Sequence, residues 1–354
     1  MIKEIWYTRC PVPNGFGLAV QLGRMQKDLK EQGITLRSLA ESQDKAVRQA
    51  HFNQNLAHSV RHGGVIPPLV SISRGADIRI VGMSWAEQRE LILVRADSPI
   101  RSVQDLKGAR IGIARRDHES VDFWRALAIR AFQSALNIAK LKNADVEWVD
   151  LPVEDAFVDF PADADTNAPS LWGVQSGKKL GEREAHALIR GEVDAIFTHG
   201  SHAVDTKLFL GARTLIDLGE SRHGDNQVHS SKPFLFTAST DLIRERRDLV
   251  DRLLAYSLLA SEWAKQNRSH VRTIFAREGA LPEELVEPSY SKELHQQFNV
   301  DLNSEYVDLL REQKDFLLAH GFLARDFKVE DYVDWQRLES ARQLIASGEI
   351  SDKE

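Results

Sequence analysis

The residue best suited to chemistry is Cys10, the only cysteine in the 354-residue chain. It lies in the run Tyr-Thr-Arg-Cys-Pro-Val-Pro-Asn at 7–14, after an apolar stretch that predicts a strand over 2–7. Apolar residues resume at helical spacing from Phe16, so the thiol would lie before a helix N-terminus, whose partial positive charge favours a thiolate. Arg9 would act in the same direction. This setting indicates a reactive thiol, although free cysteines more often fill a core.

A second group of residues predicts an anion site. Gly63 and Gly64 are followed by Pro67 and Pro68, and prolines suit the first turn of a helix, where their missing N–H groups cost little. The glycines let the backbone approach a ligand closely and present N–H groups next to that helix start. Arg61, just before them, can form a bidentate, charge-assisted pair with an oxyanion. A glycine pair on its own is more typical of an ordinary turn, with Arg61 as a surface cation.

The other histidine and serine patterns predict less. His199 and His202 are close enough in sequence for a metal pair, but no third ligand or carboxylate stands at regular spacing. Because His199 lies at the end of a predicted strand, we expect it to make a polar contact with a ligand rather than to bind zinc. The chain has neither a Gly-x-Ser-x-Gly elbow nor a glycine-rich phosphate loop. We therefore expect no metal and no cofactor, and neither a serine hydrolase nor a nucleotide enzyme.

The charge, the apolar runs and the cysteine count argue against several classes of protein. A formal charge of −6 on 40.0 kDa argues against electrostatic binding of nucleic acid, and no apolar run reaches the length of a membrane-spanning helix. The first residues lack a secretory apolar core and cleavage site. A single cysteine allows no internal disulfide. We expect a cytoplasmic monomer whose partners include neither nucleic acid nor a membrane.

The remaining pattern predicts an α/β chain of two domains, because strand-like and helical segments alternate and the length favours two modest cores. Alternation of this kind implies a mostly parallel sheet covered by helices. Strands are predicted at 34–40, 78–82, 90–95, 110–114, 146–151, 195–198 and 214–218. Long helices are predicted at 121–139, 248–267 and 304–320.

This order of elements resembles the type II periplasmic-binding-protein fold, especially the branch that binds sulfonates, nitrate and thiamine-precursor pyrimidines. The resemblance rests on Val-Arg-Ala-Asp-Ser-Pro-Ile at 94–100, Asp-Leu-Lys-Gly at 105–108 and Gly-Glu-Val-Asp-Ala at 191–195. It implies two α/β domains around a central cleft that holds the ligand.

In that fold the first domain is built from both chain ends. The resemblance therefore implies a domain I of residues 1–100 and 230–354 and an inserted domain II of residues 101–229. Open α/β sheets bind ligands outside the carboxyl ends of their strands. Cys10, at the end of the first strand, would face the cleft.

Three motifs together resemble the aryl sulfinate desulfinases, the 2'-hydroxybiphenyl-2-sulfinate desulfinase-like family. They are Cys-Pro-Val-Pro-Asn at 10–14, His-Phe at 51–52 and Arg-x-Gly-Gly-x-Ile-Pro-Pro-Leu at 61–69. The resemblance implies that Cys10 is catalytic, that His51 is its hydrogen-bonding partner, and that Arg61 and the Gly64 backbone hold a sulfinate. The substrate-binding residues that we assign are Gly63, Gly64, Phe52, Trp124, Trp172 and His199.

The aromatic assignments have a structural alternative, since Trp124 and Trp172 are equally typical of core packing. Other positions depart from the family. Thr8 and Arg9 replace a smaller polar pair, Gln54 stands where the typical enzyme has a tyrosine, and the acidic loop that begins near residue 155 is shorter. These departures concern the substrate pocket, so they affect the preference for a biphenyl more than the reaction.

The implied reaction is hydrolytic cleavage of an aromatic sulfinate to the arene and sulfite. It must neutralise an anionic SO2 group and deliver a proton to the ring carbon that bears it. Cys10 could attack sulfur as a nucleophile, or its S–H group could protonate the ring carbon while sulfur dioxide leaves. The sequence leaves both routes open, together with the protonation role of His51.

Two other functions fit the same fold resemblance. A non-catalytic protein that binds a small sulfonate or sulfinate would use the same cleft and the same Arg61, with an inert thiol. A pyrimidine-synthesising relative would need a cysteine-rich iron motif, which a chain with one cysteine lacks.

Overall fold

The structure is a computed structural model that describes residues 2–154, 156–157, 181–219 and 232–351. Its strands in these ranges are β1 (Glu4–Arg9), β2 (Thr35–Ser38), β3 (Ser59–Gly63), β4 (Ile78–Ser84), β5 (Glu90–Val94), β6 (Arg110–Arg115), β7 (Glu147–Pro152), β8 (Ala195–His199), β9 (Arg213–Asp217), β10 (Phe234–Ser239) and β11 (Val300–Asp301).

The helices lie between these strands and, in the C-terminal part, follow one another. They are α1 (Gly15–Leu22), α2 (Arg24–Glu31), α3 (Lys45–Asn53), α4 (Ile66–Ser73), α5 (Phe123–Ile138), α6 (Glu182–Ile189), α7 (Ser201–Leu210), α8 (Thr240–Gln266), α9 (Arg268–Glu278), α10 (Val286–Ser289), α11 (Ser304–Ala319) and α12 (Trp335–Ala346).

The first sheet has the strand order β11-β4-β10-β3-β1-β2. Strand β1 is parallel to β2 and β3, whereas β10 is antiparallel to both β3 and β4. The strands β1, β3 and β4 therefore point the same way, and their carboxyl ends share one edge of the sheet. Cys10, Gly64 and Trp85 follow these three strands at that edge.

The second sheet has the order β7-β6-β8-β5-β9, with β6 parallel to β7 and β8 and with β5 antiparallel to β8 and β9. The segment 85–89 links β4 to β5, and the segment between β9 and β10 returns to the first sheet. Because Glu90 pairs with His199, the chain enters the second sheet at the carboxyl end of β8. The carboxyl edges of the two sheets thus meet at these connectors.

The expectation of a mostly parallel sheet was wrong. Among the described strands, five pairings are antiparallel and four are parallel. Four of the antiparallel pairings involve β5 and β10, the strands that follow the two connectors, and the fifth joins β11 to β4. Strands β5 and β10 each enter their sheet at the edge where the neighbouring strands end, so each runs in the opposite direction.

The main hydrophobic core joins the two sheets. Val65 and Ile80 from the first-sheet side belong to one buried cluster with Ile111 and Phe197 from the second. A separate cluster on the other face of the first sheet contains side chains of α1 and α8. The predicted strands and two of the three long helices are confirmed within a few residues. The helix predicted at 248–267 begins earlier, because α8 starts at Thr240 and continues across a kink at Arg246.

Sheet pairing does not define domain boundaries, so the division at residues 100 and 230 stays a prediction. Strand β5, inside the segment 1–100 that we assigned to domain I, pairs within the second sheet. In the part of the chain that the structure describes, no helix combines the length and the apolar character needed to cross a membrane.

Candidate active site

The structure brings Cys10, His51 and Arg61 together at the carboxyl edge of the first sheet. The Cys10 sulfur lies 3.8 Å from Nε2 of His51 and 3.5 Å from Nη2 of Arg61. These three side chains come from the end of β1, from α3 and from β3. They form a compact polar group around the thiol.

Parallel pairing of β1 with β3 sets the distance between the thiol and the guanidinium. Thr8 lies beside Arg61 in the register, and the Cys10 N–H donates to the His62 carbonyl at 3.0 Å. Cys10 therefore lies opposite Gly63. A side chain at this position has no room, because a Cβ added to Gly63 would overlap the Cys10 sulfur and lie 2.9 Å from the Cys10 Cβ.

This close approach predicts the effect of Gly63→Ala. The added methyl group must displace the thiol from His51 and Arg61. In the reaction that the family resemblance implies, we therefore expect sulfite release to fall at least about tenfold, and we expect iodoacetamide to modify Cys10 at a changed rate. Gly64→Ala is the matched control for folding and thiol placement, because a Cβ there meets nothing within 4 Å. Wild-type rates of both reactions in Gly63→Ala would contradict this placement of the thiol.

Arg61 is buried, with an exposed fraction of 2 %. Its Nε donates to the His51 carbonyl and its Nη1 to the Gly64 carbonyl, both at 3.0 Å. Burial lowers the pKa of the guanidinium, and the nearby Cys10 acts in the opposite direction. An arginine has five N–H donors, and the contacts to His51, Gly64 and Cys10 use three of them. Among the described residues Arg61 makes no further hydrogen bond, so two donors remain for a ligand.

His51 is neutral in this environment. Burial lowers the pKa of its imidazole to about 3, and the positive charge of Arg61 adds to this effect. Its Nδ1 shares a hydrogen bond of 2.7 Å with the Thr8 hydroxyl, which fixes the ring and turns Nε2 toward the thiol. A thiolate–imidazolium pair of Cys10 and His51 is therefore disfavoured, because the imidazole stays neutral. The cation next to the sulfur is Arg61.

Thr8 was not among the predicted site residues, and the structure makes it the hydrogen-bond partner of His51. We expect Thr8→Val to lower sulfite release by about tenfold to a hundredfold, because the imidazole loses the contact that orients it. Thr8→Ser keeps the hydroxyl and is the matched control, with an expected loss below about threefold. Equal rates for Thr8→Val and the wild type would show that this contact has no role.

Three histidines should make the free energy of unfolding depend on pH. Burial lowers the pKa of His51 and His62 to about 3 and of His199 to about 4. In the unfolded chain these rings bind protons below about pH 6.5, whereas in the folded chain they stay neutral. The free energy of unfolding should therefore fall as pH decreases from about 6.5 toward 4, by about 1.4 kcal/mol per pH unit for each histidine.

Urea unfolding between pH 7.5 and 4.5 measures this slope. His62→Gln removes one titrating ring from a fully buried position, so its slope should be smaller than that of the wild type by about one proton. A free energy of unfolding that is constant from pH 7.5 to 4.5 would contradict the neutral state of these rings.

Arg9 has a different partner from the one that the sequence suggested. Its guanidinium forms a bidentate pair with the Glu278 carboxylate, with one contact of 2.6 Å and one shorter, and Gln21 also donates to that carboxylate. The charge of Arg9 is thus balanced by Glu278 rather than available to the thiol. The pair ties the Cys10 segment to the end of α9.

An aromatic cluster lies next to His51. Phe52 is buried, packs edge-on to His51 with centroids 4.7 Å apart, and stacks with Phe123 at 6.0 Å and Phe157 at 5.8 Å. The Arg116 guanidinium lies 5.0 Å from the Phe157 ring centroid. These rings would form an apolar wall beside the polar group.

The two other predicted ligand contacts in the described chain lie beside the second sheet, Trp124 in α5 and His199 at the end of β8. Trp124 is fully buried and donates from Nε1 to the Glu184 carboxylate at 2.6 Å. Its ring packs against His199, with centroids 5.0 Å apart, and His199 Nδ1 lies 3.4 Å from the Gln88 amide nitrogen. Trp172 lies outside the described residues. The roles assigned to all of these residues stay predictions.

The predicted helix after the glycines is confirmed. Helix α4 begins at Ile66 and has prolines in its first turn. Gly64, two residues before it, has open space where a side chain would be. Within the described ranges, no group of three or more histidine, cysteine, aspartate or glutamate side chains is placed to hold a metal ion.

Comparison with known proteins adds family information to this geometry. The NMT1/THI5 like family model matches residues 29–269. The 2'-hydroxybiphenyl-2-sulfinate desulfinases of Rhodococcus erythropolis and Rhodococcus qingshengii are both 28% identical to the chain over 345 residues, which is 92% of this chain and 90% of theirs.

Solved structures agree with the predicted fold. A cysteine-to-serine mutant of DszB in complex with biphenyl-2-sulfinic acid is 25% identical, with a TM-score of 0.75 over 97% of this chain and 99% of that one. The periplasmic aliphatic sulphonate binding protein SsuA from Escherichia coli is 19% identical, with a TM-score of 0.64 over 94% of this chain and 92% of that one. The chain has the type II periplasmic-binding-protein-like fold, and its resemblance to the desulfinases is confirmed.

Proposed function

The chain belongs to the NMT1/THI5-like family, and we propose that it cleaves the carbon–sulfur bond of an aromatic sulfinate to give the arene and sulfite. The observation that supports this most is the contact of the only thiol with a buried Arg61 and a neutral His51. The similarity to 2'-hydroxybiphenyl-2-sulfinate desulfinases over 92% of the chain supports the same class of reaction.

Arg61 would hold the sulfinate. Its position is fixed by bonds to the His51 and Gly64 carbonyls, and two of its N–H donors are left for an oxyanion. The backbone amides next to Gly64 at the start of α4 would add further donors. A buried guanidinium binds an anion more strongly than an exposed one, because water competes less for both charges.

Charge balance favours Cys10 as a proton donor over Cys10 as a nucleophile. A thiolate would add a second negative charge beside a sulfinate already bound to Arg61. His51 would not offset it, since burial and Arg61 keep the imidazole neutral with a pKa of about 3. A protonated thiol leaves one anion for one cation, which is the cheaper arrangement in a site of low dielectric.

In the proposed reaction, a proton from Cys10 replaces the sulfur on the ring carbon. The Cys10 S–H bond breaks and its proton goes to the ring carbon, while the electron pair of the carbon–sulfur bond forms the new C–H bond. Neutral sulfur dioxide leaves and combines with water to give hydrogen sulfite and a proton. The thiolate that remains faces Arg61, which again has one negative partner, and the thiol is restored by a proton from water.

The Phe52, Phe123 and Phe157 cluster would orient the aromatic ring of the substrate. A ring held by these faces excludes water from the carbon that must be protonated, and it strengthens the Arg61 contact. Trp124 would support this wall indirectly, because its indole is fully buried against His199 and Glu184.

A binding protein is the alternative, since sulfonate-binding proteins share the fold. The two functions differ in what is recovered after incubation. We would incubate the protein with a tenfold excess of 2'-hydroxybiphenyl-2-sulfinate, denature it, and quantify sulfinate, arene and sulfite by chromatography. An enzyme gives arene and sulfite in equal amounts and in excess over protein. Complete recovery of the sulfinate, with saturable binding, would overturn the proposal in favour of the binding protein.

A further inference from the structure

A large cavity lies apart from the Cys10 group. It has a volume of about 1110 Å³ and is lined by residues of the segment 85–89, by Gly219 and Lys232, and by residues of the C-terminal part of the chain. Trp85 and Gln88 of the first connector, Lys232 of the second, and Tyr290 and Tyr306 line it. In the described part of the chain, its lining includes none of the three side chains around the thiol. The volume is enough for a small organic ligand.

Lys232 gives this cavity a polar centre. Its side chain is 3 % exposed, and among the residues that the structure describes none accepts a hydrogen bond from its Nζ. An ammonium has three N–H donors, and burial without acceptors is costly. The cavity therefore contains a buried donor group that a ligand with anionic oxygens would satisfy.

The charges that face Lys232 are mostly engaged elsewhere. Burial lowers the pKa of Lys232, whereas Glu90, Glu87 and Asp217 favour its charged form. Asp217 is held by Arg89 at 2.9 Å. Glu90 is fully buried and does not line the cavity, and Glu87 is exposed at the rim.

Of the four other carboxylates that line the cavity, Glu284 and Glu305 are exposed and the other two have arginine partners. Glu283 pairs with Arg272 at 3.3 Å and Glu287 with Arg268 at 2.7 Å. The exposed rim carboxylates are screened by solvent and salt. The ammonium of Lys232 is thus the inner charge of the cavity, and the acidic groups lie mainly on its outer side.

The wall beside Lys232 is aromatic. Its Nζ lies 5.3 Å from the Trp85 ring centroid, and Trp85 stacks with Tyr306 at 6.2 Å with an interplanar angle of 23°. Stacked rings of this kind offer a flat apolar face to another ring. The cavity combines that face with a cation at one end.

We propose that this cavity is a second binding site, which takes a small aromatic anion with its anionic oxygens on Lys232 and its ring against Trp85 and Tyr306. The site is independent of catalysis at Cys10. An aromatic carboxylate, sulfonate or sulfinate shares the required chemistry.

Isothermal titration calorimetry with biphenyl-2-carboxylate tests the site, because this anion has no carbon–sulfur bond to cleave. The titration uses an Arg61→Met background, in which the Cys10 site lacks its cation. We expect one saturable site to persist, and an added Lys232→Met to weaken it at least about tenfold, as for a lost charge-assisted hydrogen bond. Lys232→Arg should keep binding within about fivefold.

Two controls separate the site from general electrostatics. Lys292→Met removes an exposed lysine from the same cavity rim and should change the affinity less than about twofold. The neutral isostere biphenyl-2-carboxamide should bind at least about tenfold more weakly than the carboxylate. Absence of binding in the Arg61→Met background, equal affinity in Lys232→Met, or equal affinity of the amide would each overturn the proposal. Sulfite release is measured separately, so the outcome does not depend on the proposed reaction.

The control for folding is the thermal unfolding of Lys232→Met. Lys232→Met replaces a buried ammonium that has no hydrogen-bond acceptor in the described chain by an apolar side chain of similar length. We expect cooperative thermal unfolding, with a melting temperature set by two opposing effects: the uncompensated ammonium is removed, and the buried Glu90 loses a nearby positive charge. If this variant failed to fold, the comparison of carboxylate with carboxamide in the Arg61→Met background would still decide the proposal.

Discussion

Replacement of Cys10 by serine is expected to lower sulfite release at least about a thousandfold while leaving the affinity for an aryl sulfinate within about threefold. The chain has no other thiol to replace the proton donor, and a serine hydroxyl is a much weaker acid than a thiol. Arg61 keeps its bonds to the His51 and Gly64 carbonyls in this variant, so the anion site should survive.

Steady-state sulfite assays and calorimetry measure the two halves of this expectation. The expected pattern is a loss in kcat with an almost unchanged dissociation constant. Cys10→Ala, which removes the polar group altogether, should be equally inactive. Sulfite release by either variant within tenfold of the wild type would show that another group donates the proton.

Arg61→Met is the second change with a large expected effect. It removes the cation that we propose to hold the sulfinate and leaves the His51 and Gly64 carbonyls without their donors. We expect kcat/KM for sulfite release to fall at least about a thousandfold, with most of the change in KM. The free energy of unfolding should fall by about 1–3 kcal/mol for each carbonyl that stays buried and unsatisfied.

Arg61→Lys is the informative comparison. Lysine keeps a positive charge but lacks the planar fork that reaches two carbonyls, the thiol and an oxyanion at once. Its activity should lie between those of the wild type and Arg61→Met, about a hundredfold below the wild type. If Arg61→Lys were as active as the wild type, charge alone, and not the guanidinium geometry, would hold the substrate.

The strand and helix positions could be predicted because their apolar residues are local in sequence. Strand β5 contains the apolar run Leu-Ile-Leu-Val at 91–94 and is buried along its whole length, and α5 shows apolar residues at helical spacing. The direction of β5 and β10 could not be predicted in this way. It depends on which edge of a sheet the chain enters after a connector, which is a property of the assembled fold.

The site also combines residues that local sequence motifs predict with contacts that they do not predict. Cys10, Arg61 and the glycines could be found because their residue types and spacing form motifs. The hydrogen bond of Thr8 to His51 spans 43 residues and the pair of Arg9 with Glu278 spans 269. A threonine in a strand and an arginine before a cysteine carry no local signal for such partners. The cytoplasmic location and the monomeric state stay predictions.

The most direct test of the proposed reaction is sulfite and arene release from 2'-hydroxybiphenyl-2-sulfinate in deuterium oxide, with the wild type and Cys10→Ser assayed side by side. We expect repeated turnover by the wild type, one deuterium on the ring carbon that carried sulfur, and release by Cys10→Ser at least about a thousandfold slower. Equal release by both proteins, or saturable binding by both without release, would contradict the proposed reaction.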